Sequence, residues 1–176
     1  MSGKLSVTIE PKAKNRIIDM NLKKQEKQVV SRRRVADHGE VYTAEREVNA
    51  MLELVKQETE RIESRFLEPA CGTGNFLAEV LKRKLNIVEK RYGKSQLEYE
   101  RYSFLAVTSI YGIDILEDNV LKCRNRLFEI FRDKYNSLFR DELLNAAKYI
   151  LERNIIWGDA LELKTVEDNP QPIVFS

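Results

Sequence analysis

The chain has 176 residues, 43% hydrophobic and 33% charged, an ordinary folded composition that allows one domain with a sizeable core and excludes wholesale disorder. Its net charge of +2 hides an asymmetry, because residues 1–34 carry ten Lys/Arg against three Asp/Glu and the remainder stands at −5. No apolar run approaches the roughly 18–20 residues of a membrane span, and two cysteines with one histidine make neither a disulfide framework nor a recognisable zinc site.

The start, "MSGKLSVTIEPKAK", has no apolar signal core, so a cytoplasmic location with Cys71 and Cys123 reduced is expected. Residues 1–34 hold one alternating stretch, "KLSVTIE", then Lys-rich sequence closing on Arg32, Arg33 and Arg34. They read as an extended basic arm, with room for a short strand or helix, suited to a polyanion; a solvated tail is the plainer alternative. The folded domain is expected over 35–176. His38 reads as a loop or cap residue.

Thr43 is expected to cap a helix with Glu45 and Glu47 in its first turn, where the helix dipole favours negative charge. Val48, Met51, Leu52 and Val55 fall on one helical face, and the helix is expected to end near Ile62 to Ser64. "RFLEP" is short, apolar and closed by Pro69, the pattern of a buried strand end. From Gly74 the pattern turns helical, with Leu77, Val80, Leu81, Leu85 and Val88 on one side, stopping near Gly93. A further helix is expected from about Ser95 to Val107, and a second strand at "SIYGIDI", Ser109 to Ile115. Glu117 to Tyr135 predicts a long amphipathic helix with Val120, Leu127, Ile130 and Phe131 inward. Leu138 to Arg153 predicts another, "NIIWGD" (Asn154 to Asp159) a third strand and turn, and "PIVFS" a fourth strand. Strand–helix–strand–helix–strand is the order of an α/β protein with a parallel sheet.

In such a sheet, ligands bind where strands end and helices begin. The three strands end at Glu68 with "GTG", at Asp114 and at Asp159. Gly72 and Gly74 permit a sharp turn and a close approach to the backbone, and the turn feeds a helix N-terminus whose free N–H groups attract polar ligands. The pattern departs from the dinucleotide fingerprint, because Leu77 stands where a small residue is wanted and Glu68 would repel a pyrophosphate. A carboxylate there suits a ligand carrying an ammonium group and a sulfonium. Asp114 can accept two hydrogen bonds from ribose hydroxyls, and Asp159 one from an exocyclic amine. For each acid alone, a helix-capping or solvated carboxylate is the plainer reading; three at consecutive strand ends weaken it.

"LEPACGTGNFL" resembles the S-adenosylmethionine-binding loop of DNA amino-methyltransferases, especially the adenine-N6 enzymes of restriction–modification systems. That loop reads acid-Pro-x-x-Gly-x-Gly-x-Phe, matched by Glu68, Pro69, Gly72, Gly74 and Phe76. The upstream "HGEVYTAEREVNAMLELV" resembles the segment preceding that loop, with Thr43 in place and Ala44 where the family usually has proline. "YGIDI" and "WGDALEL" supply Asp114 and Asp159, so the resemblance covers about Val35 to Leu163. It implies a Rossmann-like, doubly wound parallel sheet of class I methyltransferase type with a helical amino-terminal segment. It further implies S-adenosylmethionine as cofactor. Thr43 and the loop N–H groups would hold its carboxylate, Glu68 its amino end, and Asp114 and Asp159 its ribose and adenine. Tyr42, Pro69, Ala70, Cys71, Asn75 and Ala160 complete the implied cofactor-binding set. Phe76 sits near the cofactor or in the core; Ile115 and Trp157 sandwich the adenine or simply pack. Cys71 is a small turn residue rather than a nucleophile.

The family's catalytic Asn/Asp-Pro-Pro-aromatic motif, which binds the target amine and stacks on the flipped base, is not found. In "DNPQPIVFS" the second proline is displaced to Pro172 and no aromatic follows in place, so "DNPQP" reads as a loop. The expectation is the cofactor-binding part of a DNA (adenine-N6) methyltransferase of a restriction–modification or phage-defence system. Its sheet would be incomplete and completed elsewhere. It would be inactive alone, prone to form homo- or hetero-oligomers, and able to contact DNA through Arg32–Arg34. The alternative is a non-catalytic cofactor- or DNA-binding subunit of a defence complex. A nicotinamide-dependent oxidoreductase fits poorly, given Leu77 and Glu68.

Overall fold

Three short apolar segments, the first two each followed by helical sequence, set the architecture of the chain. The computed structural model describes residues 31–38, 41, 43–134 and 141–175. In chain order the elements are α1 (Arg32–His38), α2 (Glu45–Leu54), α3 (Lys56–Thr59), β1 (Phe66–Glu68), α4 (Asn75–Tyr92) and α5 (Gln96–Thr108). There follow β2 (Ile110–Asp114), α6 (Glu117–Asp133), α7 (Asp141–Asn154), β3 (Ile155–Asp159) and β4 (Lys164–Thr165). Most of the basic arm, residues 1–30, lies outside the described residues, as do Tyr135 and Leu138.

The sheet runs β1-β2-β3-β4, the first three parallel and β4 antiparallel beside β3. Both crossovers, β1 to β2 and β2 to β3, advance in the same direction across the sheet. Right-handed connections therefore put both helix pairs on one face. The side chains agree. Phe66, Ile110, Gly112 and Ile155 stand at matched register positions, and Phe66, Ile110 and Ile155 join the helical core. The alternate residues, Leu67, Tyr111 and Ile113, point the other way. There the carboxy-terminal segment takes the place of helices: Phe175 meets Tyr111 edge-on at 5.1 Å, and Ile173 packs so close that a Cβ at Gly158 would lie 2.7 Å from its Cδ1. Among the described residues the protein is thus α/β with a mostly parallel sheet, helices covering one face. None of those helices is long and apolar enough to cross a membrane.

The helical spacing of α4 is fully used, with Leu77, Val80, Leu81, Leu85 and Val88 all buried. On α6, Val120, Leu127 and Phe131 are buried and Ile130 half-buried. Three expectations need correction. First, α2 is capped by Ala44 rather than Thr43. Glu47 Oε2 accepts the Ala44 N–H at 3.3 Å, and the Ala44 carbonyl accepts the Val48 N–H, so the chain turns one residue later. Second, this helix breaks at Val55 and only the four-residue α3 follows, so it does not reach Ile62 as one helix. Val48 and Leu52 are buried while Met51 and Val55 are exposed, because α2 packs on α4 along a stripe one residue wide. Third, the fourth strand lies in "KTVED", not "PIVFS". An antiparallel edge strand needs no apolar run; "PIVF" bridges it only at Pro172–Lys164 and then turns across the sheet face.

Lys84 is the unexpected core residue. It is fully buried in mid-α4, and its Nζ donates to the Ile62 carbonyl at 3.0 Å, to the Ser64 carbonyl and to Ser109 Oγ at 2.5 Å. One ammonium thus ties α4 to the turn before β1 and to the start of β2. Burial pulls its pKa down to about 8, against the opposing pull of Glu63 and Glu58. Between that value and the ordinary lysine pKa the unfolded chain holds the extra proton, so this group adds stability as pH rises through that window. Lys84→Met, which strands the buried Ile62 carbonyl and the part-buried Ser64 carbonyl, is expected to cost about 1–3 kcal/mol at pH 7. In urea unfolding, the gap between wild type and variant should widen from pH 8 to 10.

Candidate ligand-binding site

The parallel register turns three strand ends into a staircase of acids. Glu68 stands opposite Gly112 and Asp114 opposite Trp157, so each acid lies two residues beyond the last. At roughly 3.3 Å per residue the steps are about 7 Å.

After Glu68 the backbone must leave the sheet at once. Cys71 N–H still donates to the Ile113 carbonyl at 2.9 Å, and then Gly72 takes φ 51°, a left-handed conformation that glycine adopts without strain. That twist aims the Gly72 N–H at Asp114 Oδ2, 2.8 Å away. Asp114 Oδ1 accepts from the Leu116 N–H at 2.9 Å and from Asn119 Nδ2 at 3.2 Å. A carboxylate offers about four acceptor positions. Three are taken by the protein, which leaves room for one further donor, at Oδ2, rather than the two expected from sequence.

Glu68 is half-buried and accepts the Ala70 N–H, yet desolvation wins and raises its pKa above the ordinary glutamate value. It forms no ion pair among the described residues. Asp159 Oδ1 accepts the N–H groups of Leu161 (2.8 Å) and Glu162 (3.2 Å), leaving Oδ2 without a partner among the described residues.

A cavity of about 400 Å³ opens over this staircase. That size is within the usual range for a small-molecule site. Twelve of the sequence-predicted residues line it: Thr43, Glu68, Pro69, Ala70, Cys71, Gly72, Asn75, Phe76, Asp114, Ile115, Asp159 and Ala160. Phe76 does both things left open by the sequence, lining the cavity and packing on the core. The Thr43 carbonyl accepts Asn75 Nδ2 at 3.1 Å, while Asn75 Oδ1 accepts from Arg126.

Tyr42 lies outside the described residues. Gly74 does not line the cavity. It caps α4 at φ 82°, where a Cβ would sit 2.7 Å from Cys123 Sγ, so it serves helix packing. Trp157 is also off the cavity; its indole N–H donates to the Ile115 carbonyl at 3.0 Å and braces that loop. The Cys71 thiol is buried, and its hydrogen bond to Cys123 together with burial pushes its pKa above the ordinary range, as suits an inert turn residue. The cavity also takes in Val41, Met51, Leu116, Asn119 and Leu161, which sequence reasoning missed. Asn119 alone carried a readable signal, a polar residue on the first turn after Asp114.

Of the arginine run, Arg34 is turned inward and pairs with Asp118 at 2.8 Å, and exposed Arg33 lies 3.4 Å from Asp37, so the run is not three free cations. Among the described residues no cluster of His, Cys, Asp and Glu is arranged to hold a metal ion. Set against protein-family models, curated proteins and solved structures, the chain matches none of them.

Gly74→Ala is expected to lose about 1–3 kcal/mol in thermal or urea unfolding, from both the left-handed backbone and the clash with Cys123. Adding Cys123→Ala should recover part of that loss, since it removes the clash and leaves the φ cost.

Proposed function

We propose that this chain is the S-adenosylmethionine-binding part of a DNA (adenine-N6) methyltransferase of a restriction–modification or phage-defence type. One observation carries the reading: a half-buried carboxylate, Glu68, with no cation partner among the described residues, stands at one end of a cavity whose floor is a glycine turn. A buried carboxylate wants a positive partner. A ligand with an ammonium and a sulfonium provides one, whereas a pyrophosphate would be repelled. Further along the staircase, Oδ2 of Asp114 has room for one ribose hydroxyl, and Oδ2 of Asp159 for an exocyclic amine. The N-terminus of α4, at Asn75, lies beside the turn and favours the ligand's carboxylate. The complete Rossmann-like, doubly wound fold, of which the described helices cover one sheet face, and the DNA partner come with the resemblance and belong to this proposal.

A second reading, a non-catalytic cofactor- or DNA-binding subunit of a defence complex, draws on the position of "DNPQP". These residues follow β4, on the far side of the sheet from β1 and Glu68. A motif that delivers a target amine to a sulfonium beside Glu68 would have to sit nearer β1. Methyl transfer to a DNA oligonucleotide by this chain alone would contradict the second reading, whereas cofactor binding without turnover fits both.

Glu68→Gln should weaken S-adenosylmethionine binding about tenfold or more in calorimetry, the loss of a charge-assisted contact. The pH profile gives an independent check. Because burial raises the Glu68 pKa, wild-type affinity should fall on acidification before an ordinary glutamate would protonate, and the variant should lack that limb. Equal affinity in the two proteins would contradict the assignment.

A further inference from the structure

Arg34 stands on α1, outside the cavity, yet it touches the chain of polar groups that holds the cavity's carboxylate. Nη1 donates to Asp118 Oδ2 at 2.8 Å and Nη2 to Asp118 Oδ1 at 3.0 Å, a bidentate pair. Nη2 also donates to Asn119 Oδ1 at 3.2 Å. Asn119 is buried, and its Nδ2 donates to Asp114 Oδ1 at 3.2 Å. A side-chain amide has an accepting end and a donating end. With its oxygen held by the guanidinium, Asn119 must present its nitrogen to Asp114. The other Asp114 oxygen takes the Gly72 N–H. A single run of hydrogen bonds therefore leads from α1 through the first turn of α6 to the end of β2 and into the glycine turn.

We propose that Arg34 is a positioning residue for the nucleoside site: by fixing the Asn119 amide it sets the Asp114 carboxylate with the unused position of Oδ2 toward the cavity, ready for a ribose hydroxyl. The role rests on the nucleoside reading above. Asp118 supports it, since Arg34 first and Lys122 second hold its carboxyl well below the usual range. Coupling is reciprocal. A ligand that engages Asp114 steadies the seat of α1, and an event that lifts α1 loosens the ligand.

The test is calorimetric titration of wild type, Arg34→Met and Asp118→Asn with S-adenosylhomocysteine and with its 2′,3′-dideoxy counterpart, after thermal unfolding has verified each fold. Arg34→Met should lose about fivefold or more in affinity for the ribose ligand and less than about twofold for the dideoxy one. Asp118→Asn, which only slackens the guanidinium, should show the same ligand-dependent loss in smaller measure and serves if Arg34→Met does not fold. Unchanged affinity for S-adenosylhomocysteine in both variants, or equal loss for the two ligands, overturns the positioning role and leaves the nucleoside reading intact. No binding to wild type overturns both.

Discussion

The site depends on one hydrogen bond, from the Gly72 N–H to Asp114 Oδ2 at 2.8 Å. It joins the turn after β1 to the end of β2, and it requires a left-handed residue on one side and a carboxylate on the other. Because Asp114 is almost fully buried, the bond sits where the local dielectric is low and where an unpaired carboxylate would be costly. Three protein donors satisfy that carboxylate before any ligand arrives. The consequence is pre-organisation: a ligand meets an acceptor already held in place, and little ordering cost remains at binding.

The fold places that bond where it can be used. Two right-handed crossovers stack α4 to α7 against one sheet face, and all three parallel strands then deliver their carboxyl ends to a common rim. Lys84 fixes the opposite end, gathering the turn before β1 and the start of β2 onto α4. The two buried charges divide the work. Lys84 holds the strand beginnings in register, while Asp114 holds the strand ends open around a cavity. Gly74, by letting α4 approach Cys123 on α6, sets the distance between the helices behind it.

Much of this was legible in the sequence, for identifiable reasons. The strand ends and α4 to α6 were readable because apolar periodicity and glycine punctuation agree there, as at Leu77, Val80, Leu81, Leu85 and Val88. The acids could be placed because each ends an apolar run. The limits of α2 were not readable: Ala44 caps through its backbone and a glutamate three residues on, a role no N-cap preference flags. Met51 and Val55 fit the helical stripe but face outward, since stripe width depends on how many helices pack there. Lys84 could not be called buried from composition, because its partners are backbone carbonyls whose convergence is a tertiary fact. The same holds for Arg34, whose partner at Asp118 lies 84 residues away.

The central claim is that a nucleoside bearing a cationic sulfur lies along the carboxyl rim of β1, β2 and β3. A crystal structure of the protein grown with saturating S-adenosylmethionine tests it most directly. The account predicts electron density running from Glu68 to Asp159, with one ribose hydroxyl on Asp114 Oδ2 and the Gly72 N–H bond to that oxygen preserved. Ligand density elsewhere on the molecule, or a rim left vacant at saturation, would contradict it.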